Sequence, residues 1–408
     1  MNLAARHFMV ALRRYLNLLR PVFSFRFHRP AVLFHSDDWG LAGVRDLMVY
    51  RHLKKRGLSL GNDPWDVYSL ETRADLSALY GVLASHRDSV GRSPVLVCNF
   101  VLANVDFPGV LGRGMNPLPL WPLWKGWPEP WNRPGLLEAY REGVESGLIY
   151  AAFHGITHFC RSAAESILRE SGRRKEILHG LYEAGAAHIP SQTSWLGFEF
   201  REENGGSGRT WLNLQDQGKI MAQGVGLFDK TFGTRPLSAC APGYRANEDT
   251  FSAWSEHGFR VAQEGPGLPS APYQDGDGLI HLPGTVSLEP ALNGGEKSLA
   301  IALGQARKAI RKGWPAVVNI HSINFQSSLF NHRDRCLRLL NEFLTCLEKR
   351  YPSLIYLHDG DLIRMADERK TPGMIRKDMS GFTRRLALSP RGARLLRLGR
   401  GPHAVQET

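Results

Sequence analysis

The chain has 408 residues, 43% of them hydrophobic, and a formal net charge of +12. This composition supplies a large core, enough for one big domain with insertions or two smaller ones, and no apolar run approaches the ~18 residues of a membrane-spanning helix. The five cysteines are odd in number and form no C-x-x-C pair, which excludes a disulfide framework or a Cys-rich zinc site and fits a reducing compartment.

The basic surplus sits largely at the ends. Residues 1–36 contain no Asp or Glu, and the stretch from Arg369 onward is rich in Arg and Lys. Residues 7–20 have the spacing of an amphipathic helix, with Phe8, Leu12, Tyr15, Leu16 and Leu19 on one face. Such a helix either docks on the domain or lies on an anionic membrane surface. An organelle transit peptide ranks below both, and arginines interrupt every apolar run, so no secretory leader is expected. Residues 1–29 are therefore set apart as a basic N-terminal segment and 366–408 as a basic tail, with 30–365 as the main domain. Within the tail, residues 384–400 read as a short surface helix or solvated chain, with anionic membrane contact as the alternative.

The first strand of the main domain is the apolar run Ala31–Phe34. It leads to Ser36-Asp37-Asp38-Trp39-Gly40. Adjacent side chains on a strand point to opposite faces, so Asp37 and Asp38 can share a site only if the chain bends, as Gly40 would permit. Helical patterns at 41–56 and 72–86 and a strand at 95–100 complete a β-α-β unit, which implies parallel strands.

Residues 101–135 hold Trp121, Trp124, Trp127 and Trp131 among many prolines. That stretch is either a substrate loop or a loop fastened to the core by its Trp rings. A helix at 136–146 and a strand at 148–153 deliver His154-Gly155-Ile156-Thr157-His158. One long helix is expected over 161–187, a polar, aromatic stretch with a flexible turn over 191–211, and a helix over 213–233. A strand at 237–240 ends in Ala241-Pro242-Gly243-Tyr244-Arg245, and Asn247 caps the next helix. Strands at 259–262 and 279–282 and a helix at 296–312 precede Ala316–Ile320. That strand delivers His321-Ser322-Ile323-Asn324-Phe325. A helix at 333–349 and a strand at 354–357 close the domain.

The fold expected is α/β, a distorted and not necessarily complete β/α barrel of mainly parallel strands, with an open doubly wound sheet as the alternative. In either, the C-terminal ends of the strands converge on one face. Asp37/Asp38, His154/His158, Tyr244/Arg245 and His321 all stand at such ends. Two imidazoles and a carboxylate suit a catalytic divalent metal with room left for water.

In order and kind, these motifs resemble those of the polysaccharide deacetylase family (NodB homology, carbohydrate esterase family 4). Ser36-Asp37-Asp38-Trp39-Gly40 is similar to its Thr/Ser-Phe-Asp-Asp-Gly motif. His154-Gly155-Ile156-Thr157-His158 keeps both histidines of His-Ser/Thr-x-x-His. Ala241–Arg245 partly matches Arg-x-Pro-Tyr/Phe, and Val318-Asn319-Ile320-His321 matches the strand that ends in His. The resemblance implies that Asp38, His154 and His158 hold one divalent ion, zinc first among candidates. It makes Asp37 the general base on the activated water and His321 the general acid toward the leaving amine. Arg245 would orient Asp37, and the Tyr244 backbone N–H would hold the oxyanion. Trp39 and Asn324 join Tyr244 as candidate substrate or oxyanion contacts.

The chain also departs from the family. Trp39 separates Asp38 from the glycine, the motif-three Arg is absent upstream of Pro242, and a counterpart of the acid-tuning fourth motif is not recognisable. A divergent branch with its own substrate follows. The implied activity is removal of N-acetyl groups from an amino-sugar glycan or a lipid- or nucleotide-linked precursor, in the cytoplasm and peripheral to the inner membrane face. Alternatives are another metal-dependent amide or ester hydrolase, or an inactive glycan-binding or assembly protein. Nucleic-acid binding ranks last, because no recognisable module lies between the basic ends.

Overall fold

The computed structural model describes residues 23–113, 117–204, 208–266, 270–368 and 374–378. The amphipathic stretch 7–20 and the tail segment 384–400 lie outside the described residues. The strands that position the site are β1 (Ala31–Trp39), β2 (Leu96–Phe100), β3 (Ile149–Phe153), β4 (Ser238–Cys240), β5 (Val261–Glu264), β6 (Ile280–Pro283, continued by Val286–Ser287) and β7 (Ala316–His321). Each pairs in parallel with the next, and β7 returns to pair with β1.

The ring depends on one bent strand. The first half of β6 lies on β5, and the Gly284 N–H still donates to the Glu264 carbonyl at 2.9 Å. One residue later the Thr285 N–H donates to Val317 of β7 at 3.0 Å, and Val286–Ser287 continue along β7. The strand thus changes neighbours at Gly284, where a Cβ would stand 2.1 Å from Asn319 Oδ1. Distortion is greatest between β3 and β4, which are joined only through Phe153 and Ala239. The fold is the expected distorted β/α barrel rather than an open doubly wound sheet.

Strand periodicity sorts the residues. On β1, Val32 and Phe34 pack into the large outer core with the helices, whereas Ala31 and Leu33 join Val261, Ile280 and Val317 in a separate inner cluster. Residues of the same parity as Leu33 and Val317 continue inward toward the C-terminal end. There the apolar sequence gives way to His35, Asp37, Asn99, Gln263, Asn319 and His321.

Helix boundaries follow local chemistry. The helix expected from residue 41 begins at Leu47, because the Asp46 side chain accepts from the Val49 N–H and caps it there (α1, Leu47–Lys55). The long helix expected over 161–187 is two helices, Arg161–Arg169 and Arg173–Glu183, interrupted where Gly172 takes φ +115°. Helix Leu214–Phe232 matches expectation, with Asn213 capping it and Gly233 ending it in the left-handed conformation. Asn247 caps the helix Glu248–Glu256 (α2) as read from the sequence. The stretch 191–211 ends in a hairpin, Arg201–Asn204 against Gly208–Trp211.

The Trp/Pro stretch is fastened to the domain. The Trp127 indole N–H donates to the Gly40 carbonyl at 3.1 Å, and that of buried Trp131 to Gly185 at 2.7 Å.

Gly284→Ala is expected to destabilise the protein by about 1–3 kcal/mol, the usual penalty for forcing atoms into a packed site. Urea denaturation of the two proteins measures this. An unchanged midpoint would show that the bend does not need the missing Cβ.

Candidate active site

The two adjacent carboxylates do meet, although the bend begins two residues earlier than Gly40. Asp38 itself takes φ +70°, and the register of β1 on β2 shifts between Ser36 and Trp39. A non-glycine residue in this region is uncommon and carries strain. The Asp38 carbonyl is held by the Tyr68 hydroxyl at 2.6 Å and the Ser322 hydroxyl at 3.4 Å.

The Asp38 carboxylate then sits between two imidazoles. Its Oδ1 is 3.1 Å from His154 Nε2 and 3.1 Å from His158 Nε2. His154 Nδ1 lies 3.0 Å from the Cys240 carbonyl, to which it donates, so Nε2 is the ring nitrogen turned toward Asp38. These three residues offer ligand atoms within 4.8 Å of one another; Asp37, His154 and Cys240 form a second such group. Ligands about 2.0–2.1 Å from a tetrahedral ion stand roughly 3.3 Å apart, so the two 3.1 Å separations from Asp38 Oδ1 suit a shared divalent ion. Burial disfavours the charged form of Asp38, yet His158 and His154, with His321 farther off, outweigh it and hold the carboxyl well below its ordinary range.

Asp37 lies beside this set. The Asn99 amide donates to its Oδ1 at 2.5 Å, the Cys240 thiol lies 3.6 Å from Oδ2, and His321 Nε2 lies 3.7 Å from Oδ2. Arg245, expected to orient Asp37, instead has its guanidinium 5.8 Å from the centre of the Phe198 ring. Arg245 follows the turn that ends β4, beyond the inward-facing position, whereas Asn99 projects inward from β2. The orienting contact is neutral.

His321 has a partner that the sequence reading missed. Glu289 Oε1 accepts from Nδ1 at 2.7 Å, and Oε2 accepts from the His321 backbone N–H at 3.2 Å and from Asn324 Nδ2 at 2.6 Å. Burial works against a charged His321, but Glu289 and then Asp37 raise it to about 10. Glu289 follows β6 just as His321 follows β7. Extending the strand read at 279–282 past Pro283-Gly284 would have brought a carboxylate to the same face.

Three expectations are corrected. Trp39 is a core residue rather than a substrate contact: fully buried, it stacks on Phe325 and donates to Ser36. Buried Asn324 holds Glu289 and the Ala291 N–H, so it supports the site from behind. The Tyr244 backbone N–H already donates to the Ala241 carbonyl at 2.8 Å, closing a 3-10 turn, which leaves it unsuited to an oxyanion. It is the Tyr244 side chain that faces the site. Asn319 Nδ2 donates to its hydroxyl at 3.2 Å, and burial followed by Asp37 keeps the phenol protonated.

Two other elements complete the walls. Half-buried Trp65 meets His321 edge-on with ring centres 4.6 Å apart. Buried Glu199 anchors the loop between His154 and His158, accepting from the Ile156 and Thr157 N–H groups at 2.8 and 2.9 Å. Burial pushes its carboxyl up to about 8. Gly155 has φ +90°, and a Cβ there would lie 2.3 Å from Glu199 Oε2. No sequence motif marked Trp65 or Glu199.

No family model matches the chain, and no curated protein does. Among solved structures, it is similar to a protein assigned as a polysaccharide deacetylase from Mycobacterium smegmatis, at 13% identity over 85% of this chain and 93% of that one, with a TM-score of 0.41. It is similar to one assigned as a glycoside hydrolase/deacetylase from Parabacteroides distasonis, at 11% identity over 85% and 73% of the two chains, TM-score 0.47. It is also similar to the allantoinase Puue, at 12% identity over 84% and 92%, TM-score 0.44.

The Glu289–His321 pair predicts a pH-dependent contribution to stability. With the folded-state His321 raised to about 10, its contribution is fully present below the unfolded value of about 6.5 and is lost as pH rises through about 10. Glu289→Gln should therefore destabilise the chelator-treated protein by about 1.5–3 kcal/mol near pH 6, the range for a hydrogen bond to a charged group. The difference from wild type should shrink toward alkaline pH. Paired urea melts test this, and a difference independent of pH would rule out the charged pair.

Proposed function

We propose that the protein is a metal-dependent hydrolase that removes N-acetyl groups from an amino-sugar glycan or a glycan precursor. The observation that carries this reading is Asp38 Oδ1 at 3.1 Å from both His154 Nε2 and His158 Nε2, with Asp37 and His321 alongside. Asp38, His154 and His158 would hold the ion, for which zinc is the first candidate. When bound, such an ion polarises an acyl carbonyl and makes water more acidic.

The remaining roles fall to this chain's own groups. Asp37, oriented through Asn99, takes the proton from the attacking water at Oδ2. His321 carries its protons with Glu289 fixed on Nδ1, so Nε2 faces the reacting centre and gives its proton to the leaving nitrogen. An amine is a poor leaving group unless protonated, and a base and an acid held 3.7 Å apart supply the two transfers in one site. The Tyr244 O–H, in place of its backbone N–H, is the donor offered to the acyl oxygen. Trp65, half-buried over His321, offers a ring face to a sugar.

A second reading, hydrolysis of a different amide or ester, draws on one specific observation. Asn99 and Cys240 adjoin Asp37, and the guanidinium expected there lies over Phe198. A base oriented by a neutral amide in place of a guanidinium is suited to a different balance of substrate charge. The inactive-protein reading has less in its favour, because a site without chemistry has no need to bring Asp37, Asp38, His154, His158 and His321 together.

The setting proposed is cytoplasmic and peripheral to the inner membrane face through the basic ends, with a lipid- or nucleotide-linked precursor as substrate. Exposed Leu47 and Met48 beside Arg51 and Lys55 on α1 favour such a contact. Among the described residues no helix is long and apolar enough to cross a membrane.

Elemental analysis tests the reading, on wild type and on His154→Ala/His158→Ala prepared without chelator or His tag. About one divalent ion per chain is expected in wild type, lost in the double variant. Acetate release from acetylated amino sugars should disappear with it. No metal in either protein after incubation with zinc would end the proposal.

A further inference from the structure

A second concavity adjoins the site on the C-terminal face. It is a cavity of ≈ 220 Å³ between the ends of β4 and β5 and helix α2, with Tyr244, Ala246, Phe251, Glu264 and Gly265 in its wall. Tyr244 belongs to both places. Its hydroxyl reaches Asn319 in the candidate active site, and its ring lies against Gly265, where a Cβ would meet it at 2.3 Å. The cavity is small, below the ~300 Å³ at which drug-sized pockets begin, and suits a single ring-sized unit.

Glu264 is the one charged residue lining it. The carboxylate is fixed from behind, since His281 Nδ1 donates to Oε1 at 2.7 Å while His281 Nε2 lies 3.2 Å from Asp275 Oδ2. Tyr273 stacks on that imidazole at 4.7 Å with its plane 8° away, and Phe251 meets it edge-on at 5.1 Å. Among the described residues Glu264 Oε2 has no protein hydrogen-bond partner. One imidazolium shared between two carboxylates leaves a net negative charge here, in a chain whose overall charge is +12. A fixed carboxylate beside aromatic rings recognises a cation that also carries an apolar face. An ammonium-bearing sugar ring has both.

We propose that this cavity is a subsite for a sugar unit bearing a free amino group, next to the unit whose amide is cleaved. This rests on the deacetylase reading and narrows its substrate class to partly deacetylated amino-sugar oligomers. An N-acetylated unit placed here would leave Glu264 Oε2 without a donor and the excess negative charge unmatched, and an unpaired polar group in a site is a source of discrimination.

Glucosamine, N-acetylglucosamine and glucose are titrated into the metal-loaded protein by calorimetry near pH 6.5, where glucosamine is mainly ammonium. Wild type should bind glucosamine at least about tenfold more tightly than the other two, a difference of about 1.4 kcal/mol. Glu264→Gln, which keeps an acceptor for His281, should abolish the preference while metal uptake stays unchanged and the protein still melts cooperatively. Ala246→Leu, which fills the cavity, should abolish glucosamine binding by a separate route. Equal binding of the three sugars, no saturable glucosamine binding by wild type, or a preference that survives Glu264→Gln would each overturn the subsite. Metal uptake without acetate release from any acetylated amino sugar would instead remove the deacetylase reading, and with it the adjoining unit, while the Glu264 comparison still decides the glucosamine site.

Discussion

One backbone conformation governs the rest of the site. On a regular strand Asp37 and Asp38 would face opposite sides of the barrel wall, and residues of the parity of Leu33 and Asp37 face inward. Asp38 would then point among the helices. Its φ of +70° turns the carboxylate back to the inner face. Strain of this kind costs about 1–3 kcal/mol and persists only where the surroundings over-determine it. Tyr68 and Ser322 grip the Asp38 carbonyl, Trp127 grips that of Gly40, and Trp39 is locked in the core. The Trp39 insertion and the Trp/Pro stretch, separate oddities in the sequence, thus act on the same turn. Trp39 anchors it from inside, and Trp127 clamps it from the surface.

The same logic recurs around the other groups. The His154–His158 loop turns through Gly155 because Glu199 occupies the space a side chain would need. His321 is set by Glu289, which is itself set by Asn324. Each residue placed in the chemistry has a buried polar partner from a distant part of the chain, so its orientation is fixed before a substrate arrives. That arrangement explains why residues assigned to substrate contact by proximity in sequence, Trp39 and Asn324, turn out to support their neighbours from behind.

The barrel was legible in the sequence because its strands are short apolar runs between helices of amphipathic period, and polar residues stand where those runs end. Asp38, His154, His158, Asp37 and His321 could be placed for that reason, and the structure brings them together. What could not be read was of two kinds. Glu199 and Trp65 come from insertions whose path is set by packing, with no local pattern to mark them. Asn99 sat in plain view on a strand and Glu289 just past one, but Asn99 looked like one polar residue in an apolar run and Glu289 lay beyond a Pro-Gly pair that reads as a stop. The Pro-Gly is instead the point where β6 passes from one neighbour to the next. Arg245 misled because its nearness in sequence to Tyr244 stood in for a direction that only the fold decides.

Asp37 is also held by an amide where a guanidinium was expected. Asn99 donates both to Asp37 and to Gln263, Gln263 donates to Asp359 at 2.9 Å, and Asp359 pairs with His35 at 2.8 Å. All five residues are buried, so the barrel is threaded by a polar column from the catalytic face toward the helix that begins at Asp359. Half-satisfied, such a column would be worse than an apolar core, since each unpaired group would bear its full desolvation. Ser238 completes the contacts of Asp359, and Asn99 Oδ1 and His35 Nδ1 are the column atoms left without a protein partner among the described residues. Asp37 is thus fixed in direction by a neutral amide on one oxygen, with the His321 imidazole 3.7 Å from the other.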